Sequence, residues 1–102
     1  MKIITRIWHG RTKAIHADEY LKYIEETGMS EYRQVRGNLS AKLPRRAEGD
    51  ICHFLTVTEW SSHESIKRFA GSDYDKAKYY EKDKHFLLEQ EEYVVHYETF
   101  EY

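Results

Sequence analysis

A chain of 102 residues can build one hydrophobic core but not two, so a single domain with a single cleft is expected. Sixteen Lys and Arg against eighteen Asp and Glu give a net charge of −2 with both signs scattered, which argues against a nucleic-acid or anionic-membrane surface. No segment approaches the roughly 20 apolar residues of a membrane span, Met1 to Arg6 lacks the apolar run of an export signal, and the lone Cys52 cannot form an internal disulfide. A soluble cytoplasmic protein with a buried, inert thiol is the expectation.

Ile3 to Arg11 alternates with apolar residues on both phases, Ile3 and Ile7 against Ile4 and Trp8, which reads as a strand covered on both sides and ended by Gly10. Ala17, Tyr20, Leu21 and Ile24 recur at helical spacing, Asp18 and Glu19 suit a first turn, and Gly28 fits as a terminator. Met29 to Gln34 reads as a connection. A second strand runs from about Val35 to Arg46 and holds the only proline, Pro44, which cannot donate to a ladder and so belongs at a sheet edge. Glu48-Gly49-Asp50 turns the chain tightly into a third strand, Ile51 to Trp60.

Ser61 and Glu64 have the spacing of a capping box, so a second helix should begin at about Ser61, present Ile66, Phe69 and Ala70 on one face, and stop at Gly71. Ser72 and Asp75 could cap a further short helix with Tyr74 and Ala77 turned inward. Glu81 to Glu92 is a charged connection that docks through Phe86, Leu87 and Leu88, and Tyr93 to Glu101 is the last strand. The order βαββαβ predicts an α+β, ferredoxin-like fold with a four-stranded antiparallel sheet, strands one and three in the centre and strands two and four at the edges.

Strand three places Ile51, Leu55 and Val57 on one face and Cys52, Phe54 and Trp60 on the other. Two helices cover one face only, so the second apolar face predicts a homodimer packed sheet to sheet. Fifteen aromatic side chains, nine of them tyrosine, fit either core and interface packing or the walls of a pocket for a flat ligand. The six histidines show no metal-ligand spacing, and neither a phosphate-binding glycine loop nor Gly-x-Ser-x-Gly is present, so no metal is expected. The basic-glycine-aromatic signature of an RNA-recognition strand is missing as well.

Several stretches together resemble the antibiotic biosynthesis monooxygenase domain family: Arg6-Ile-Trp8-His-Gly10, the Glu48-Gly49-Asp50 turn, Phe54 through Trp60, Phe69-Ala70-Gly71-Ser72-Asp73, Ala77-Lys-Tyr79-Tyr80, Phe86-Leu-Leu-Glu89 and Val95-His-Tyr-Glu98. The resemblance covers nearly the whole chain and implies a dimeric α/β barrel. It also implies one of two oxygenase chemistries, although many such proteins have no established activity. The haem-degrading branch carries a tryptophan on the second helix and an iron-ligating histidine one short helix later. By spacing from Trp60 those positions hold Phe69 and Tyr79, so that mechanism lacks its imidazole.

The other branch uses no cofactor and oxidises an electron-rich phenol inside an aromatic cavity. For it the resemblance nominates Trp8, Phe54, Trp60, Phe69, Tyr79 and His85 as ligand-binding positions, with Tyr80, His96 and Arg6 as catalytic ones. A histidine suits the base, His53, His85 and His96 being the choices, and Arg6 suits a phenolate or oxyanion. Strand parity sets His53 opposite Phe54 and Trp60, towards the partner subunit. A non-catalytic dimeric module that binds a small aromatic ligand is the alternative.

Overall fold

A computed structural model describes residues 2–102. Its centre is a pair of long antiparallel strands, β1 (Ile3–Lys13) and β4 (Ile51–Trp60), in register from Ile4 opposite Trp60 to Lys13 opposite Ile51. β5 (Val95–Thr99) flanks β1, and β2 (Asn38–Lys42) and β3 (Arg45–Glu48) lie end to end along the outer edge of β4. The predicted second strand is thus one edge broken in two at Leu43 and Pro44. Pro44 lacks an N–H to give, yet its carbonyl accepts the Leu55 N–H at 2.9 Å, so the edge stays attached across the break.

Alternation decides which side chains are covered. Ile4, Arg6, Trp8 and Thr12 of β1, with Cys52, Phe54, Thr56, Thr58 and Trp60 of β4, are buried beneath the helices. Gly10 does not end β1. A Cβ there would lie 2.4 Å from Cη2 of Trp8, so the glycine sits mid-strand to make room for the indole. The opposite face buries Ile3 and Thr5 at one end but carries Ile7, Leu55 and Val57 half-buried and Val95 and Tyr97 about half exposed, and no helix among the described residues packs on that part of it.

The first helix also runs further than its sequence signals. α1 (Ala17–Ile24) continues through a π-helical stretch, Glu25–Met29, into α2 (Ser30–Gln34). Gly28 is therefore buried inside a helix rather than terminating one, and it provides a seat for the rings of Tyr32 and Tyr80, each just under 4 Å from where its Cβ would be. The predicted connection from Met29 to Gln34 is helical because Tyr32 buries its ring against Trp60 and Phe69. The chain turns instead at Gly37, whose φ of +97° and clearance of Ser65 both require the absence of a Cβ.

α3 (His63–Ala70) is capped one residue later than expected. Ser62, not Ser61, is its cap and accepts the Ser65 N–H at 3.2 Å, while Ser65 rather than Glu64 reaches back with its hydroxyl. Ser72 and Asp75 cap no helix. The stretch from 72 to 82 is an irregular strap, held by backbone bonds from Ala77 N–H to Glu92 and from Val94 N–H to Asp75. The connection beyond it holds a short helix, α4 (Asp83–Phe86), and docks chiefly through buried Leu87, which bridges to Thr12, while Leu88 is exposed. The last strand is shorter than expected, as β5 stops at Thr99.

Candidate functional site

Between β1, α1 and the strap lies a cavity of about 20 Å³, room for one water molecule. Its lining includes Arg6 and Trp8 from β1, Thr56 from β4, Tyr20, Gly28 and Tyr32 from the first helical layer, and Tyr79, Tyr80 and Asp83 from the strap and α4. The space is taken by these aromatic rings themselves, not by Phe86, Leu87 and Leu88.

Arg6 is the unusual member. It is 2% exposed, yet among the described residues no carboxylate lies within salt-bridge distance of it. Backbone carbonyls take the place of a counter-ion: Nη1 donates to Tyr74 O and Nη2 to Lys76 O at 3.3 Å. Nη1 also approaches Nε2 of His96 at 3.2 Å, and the guanidinium lies 5.7 Å from the centroid of the Phe69 ring. Burial lowers its pKa, but a guanidinium so far above neutrality keeps its charge. Nε makes no hydrogen bond among the described residues, with the Tyr32 hydroxyl nearby.

The second unpartnered buried atom is the hydroxyl of Tyr80. Two such atoms on residues that line one cavity call for a ligand or a water between them. The other polar atoms are engaged. Tyr79 accepts from Trp8 Nε1 at 3.2 Å and donates to Glu91 O at 2.6 Å, Tyr32 and Thr56 meet at 3.3 Å, and Tyr20 donates to Asp83 at 2.9 Å. Burial raises the pKa of all four cavity tyrosines, so each is a hydrogen-bond donor at neutral pH.

Of the side chains nominated from sequence, Arg6, Trp8, Tyr79 and Tyr80 come together at this cavity. Phe54 and Trp60 are wholly buried in the two halves of the core, and Trp60 donates its N–H to Thr58 at 2.8 Å. Phe69 packs between Trp60 and Tyr32 and backs the guanidinium without lining the cavity. His85 is exposed on α4.

His96 lies under the covered face, opposite Arg6 in the β1–β5 register, but does not line the cavity. Because Arg6 can only donate, His96 accepts at Nε2 and carries its proton on Nδ1, which points to Asp75 at 3.3 Å. Burial first, then the Arg6 charge, lowers its pKa and keeps the ring neutral. Its free lone pair is thus spent on positioning the guanidinium.

His53 projects from the uncovered face, as parity predicts. There a hydrogen-bonded chain runs from Glu91 to His9 at 2.5 Å, from His9 to His53 at 3.0 Å, and from His53 to Glu48 at 2.9 Å. No group of three or more metal-ligating side chains occurs among the described residues.

Tyr20, Tyr32 and Asp83 line the cavity without having stood out in the sequence as site residues. Tyr20 was legible as an inward helix position but not as polar machinery. Tyr32 sat in a segment without apolar periodicity, and Asp83 in one that gave only a charge run.

No protein-family model matches the chain, and no curated protein matches it significantly. Solved structures do match. A Bacillus cereus protein provisionally assigned as an antibiotic biosynthesis monooxygenase superposes with a TM-score of 0.61 at 12% identity, covering 99% of this chain and 95% of its own. A Nitrosomonas europaea protein with the same provisional assignment gives 0.62 at 13% identity, over 96% and 89% of the two chains. A Pseudomonas aeruginosa protein gives 0.58 at 15%, over 100% and 96%.

The chain has their fold. Identities this low carry no activity with them, so the chemistry rests on the cavity.

Proposed function

We propose that the chain is a cofactor-independent oxygenase of a small aromatic phenol, bound as its phenolate in the cavity beside Arg6. The observation that supports this reading is the buried Arg6 guanidinium, which has no carboxylate partner and one unused donor, in the same cavity as the unpartnered Tyr80 hydroxyl. A buried cation without a counter-ion is a ready place for a ligand's negative charge, and its strength is greatest where water is excluded. The monooxygenase assignments of the structural neighbours supply the reaction class.

In the proposed reaction the bound phenolate activates a ring methylene of the same molecule towards dioxygen. The carbon gives up two hydrogens and gains one oxygen as a carbonyl, and the second oxygen leaves with those hydrogens as water. All the electrons come from the ligand. Arg6 holds the phenolate oxygen, Tyr80 donates to the ligand, and Trp8 and Tyr79 form the walls. At about 20 Å³ the cavity is too small for a phenol ring, so the ligand enters by displacing the strap. That segment has no regular secondary structure and follows Gly71 at a φ of +87°.

The protein acts as a homodimer, with the uncovered faces of two sheets packed together. Ile7, Leu55, Val57, Val95 and Tyr97 form a contiguous surface that a second copy would dry.

Oxygen uptake over a panel of reduced polyphenols and anthrones tests the reading. The protein is expected to raise consumption above the background of ligand alone, and Tyr80→Phe to lower the protein-dependent part about 100-fold, the scale of one lost transition-state donor. Binding without consumption would reduce the protein to a ligand-binding module. An unchanged Tyr80→Phe rate would remove this cavity from the mechanism.

A further inference from the structure

A ligand that is held as an anion must lose its proton to some group, and the histidines are not placed to take it. None lines the cavity. His96 has its accepting nitrogen turned to Arg6, His53 and His9 project from the other face of the sheet, and His85 is exposed. Among the cavity's own side chains the tyrosines are protonated, and Lys78 is an ammonium paired with Glu31. One carboxylate remains.

We infer that Asp83 is the proton acceptor of this site, held by Tyr20 on one wall of the cavity that Arg6 also lines. The inference rests on the phenolate reading above. Asp83 is 4% exposed and meets no Lys or Arg at salt-bridge distance among the described residues. Its Oδ1 accepts from the Tyr20 hydroxyl at 2.9 Å, and its Oδ2 accepts the Tyr80 N–H at 2.6 Å. Two bonds fix the carboxylate and leave it further lone pairs for a ligand's hydroxyl. The backbone bond also ties Asp83 to the residue whose hydroxyl is free in the cavity, so acceptor and donor are positioned by one turn of chain.

The step is a single proton transfer. The ligand's phenolic O–H breaks, the proton bonds to an Asp83 oxygen, and the electron pair stays on the ligand oxygen beside Arg6. Burial raises the Asp83 pKa from its ordinary value, which makes it a better base than a solvated aspartate, and the bonds from Tyr80 and Tyr20 partly offset this. The charged and titratable groups around it are Tyr20 and Tyr23 from α1, Lys78, Tyr79 and Tyr80 from the strap with Glu31 behind Lys78, and Arg6 from β1.

The probe is 4-nitrophenol, titrated calorimetrically into the wild-type protein above its solution pKa in buffers of different ionisation enthalpy. A phenolate entering beside a buried carboxylate forces one of the two anions to be neutralised. Wild type is therefore expected to take up one proton per ligand bound, with affinity for the anion falling about tenfold per pH unit. Asp83→Asn should bind with no proton uptake and a flat pH profile. Tyr20→Phe, which keeps the carboxylate but removes a bond that favours its charged form, should retain the uptake and move its onset to higher pH.

Binding to wild type with no proton uptake would overturn the role of Asp83 and leave the phenolate reading standing. Uptake that persists in Asp83→Asn would move the role to another group. Absence of any binding would overturn the phenolate reading, and the assignment of Asp83 with it.

Discussion

Arg6 and His9 stand on the same strand, pointing to opposite faces of the sheet, and their surroundings differ in kind. On the uncovered face the polar groups are matched with carboxylates: Glu91 and Glu48 bracket the His9–His53 pair, and Glu89 grips Arg11 at 2.5 Å. On the covered face Arg6 is buried with carbonyls, a neutral histidine and an aromatic ring, and one donor is left over. A solvated ion pair adds little to stability, whereas a buried cation without a partner costs free energy unless something supplies the missing charge. That contrast is what the proposed ligand site on the covered face and the proposed dimer contact on the uncovered face each require.

The largest expected effect breaks the uncovered half of this contrast. Val57→Asp sets a charge opposite Ile7 in the middle of the apolar surface. Burying it unpaired should cost about 3 kcal/mol or more and weaken self-association roughly 100-fold, as read by sedimentation equilibrium. An unchanged dimer, or a wild type that is monomeric at micromolar concentration, would assign that surface to some other use.

Gly10→Ala tests the covered side. Its methyl would meet the Trp8 indole at 2.4 to 2.5 Å, so the ring must leave its site over the cavity. A loss of about 1–3 kcal/mol in urea unfolding is expected. A neutral result would show that the indole has room to move. Ser62→Ala removes the α3 cap beside the other half of the core and should cost about 1 kcal/mol by the same measurement.

The smallest effect is a pH slope. The folded protein holds the pKa of His96 below its unfolded value of about 6.5, so the unfolded chain binds the extra proton first. That contribution to stability is complete above the unfolded pKa and is lost as pH falls through the window beneath it. His96→Gln, which keeps an acceptor for Arg6, should flatten the slope of Tm against pH there. An unaltered slope would place the titration elsewhere.

The sheet was legible because burial in a strand is written in alternation. Ile4, Trp8, Phe54 and Trp60 announce one face, Ile7, Leu55 and Val57 the other, and Pro44 marks the edge. The covered site was only half legible. Arg6, Trp8, Tyr79 and Tyr80 stood out by chemistry and position, but Tyr32 lay beyond a glycine that looked like a helix end. Gly28 sits within a π-helical stretch because two aromatic rings pack against it, a tertiary cause that has no local sequence signature. Gly10 misled in the same way, its function being clearance for Trp8. Asp83 was hidden among charges, since nothing in the run from Glu81 to Glu92 marks the one carboxylate that is buried.

A phenolate held against Arg6 in the covered cavity would have a distinct optical signature. A spectral titration of 4-nitrophenol below its solution pKa tests for it directly, because the anion absorbs separately from the neutral phenol. Wild-type protein is expected to develop the phenolate band as it saturates, and Arg6→Gln either to fail to bind or to bind the neutral form. Wild-type protein that binds only the neutral phenol, or an Arg6→Gln variant that develops the phenolate band equally well, would contradict it.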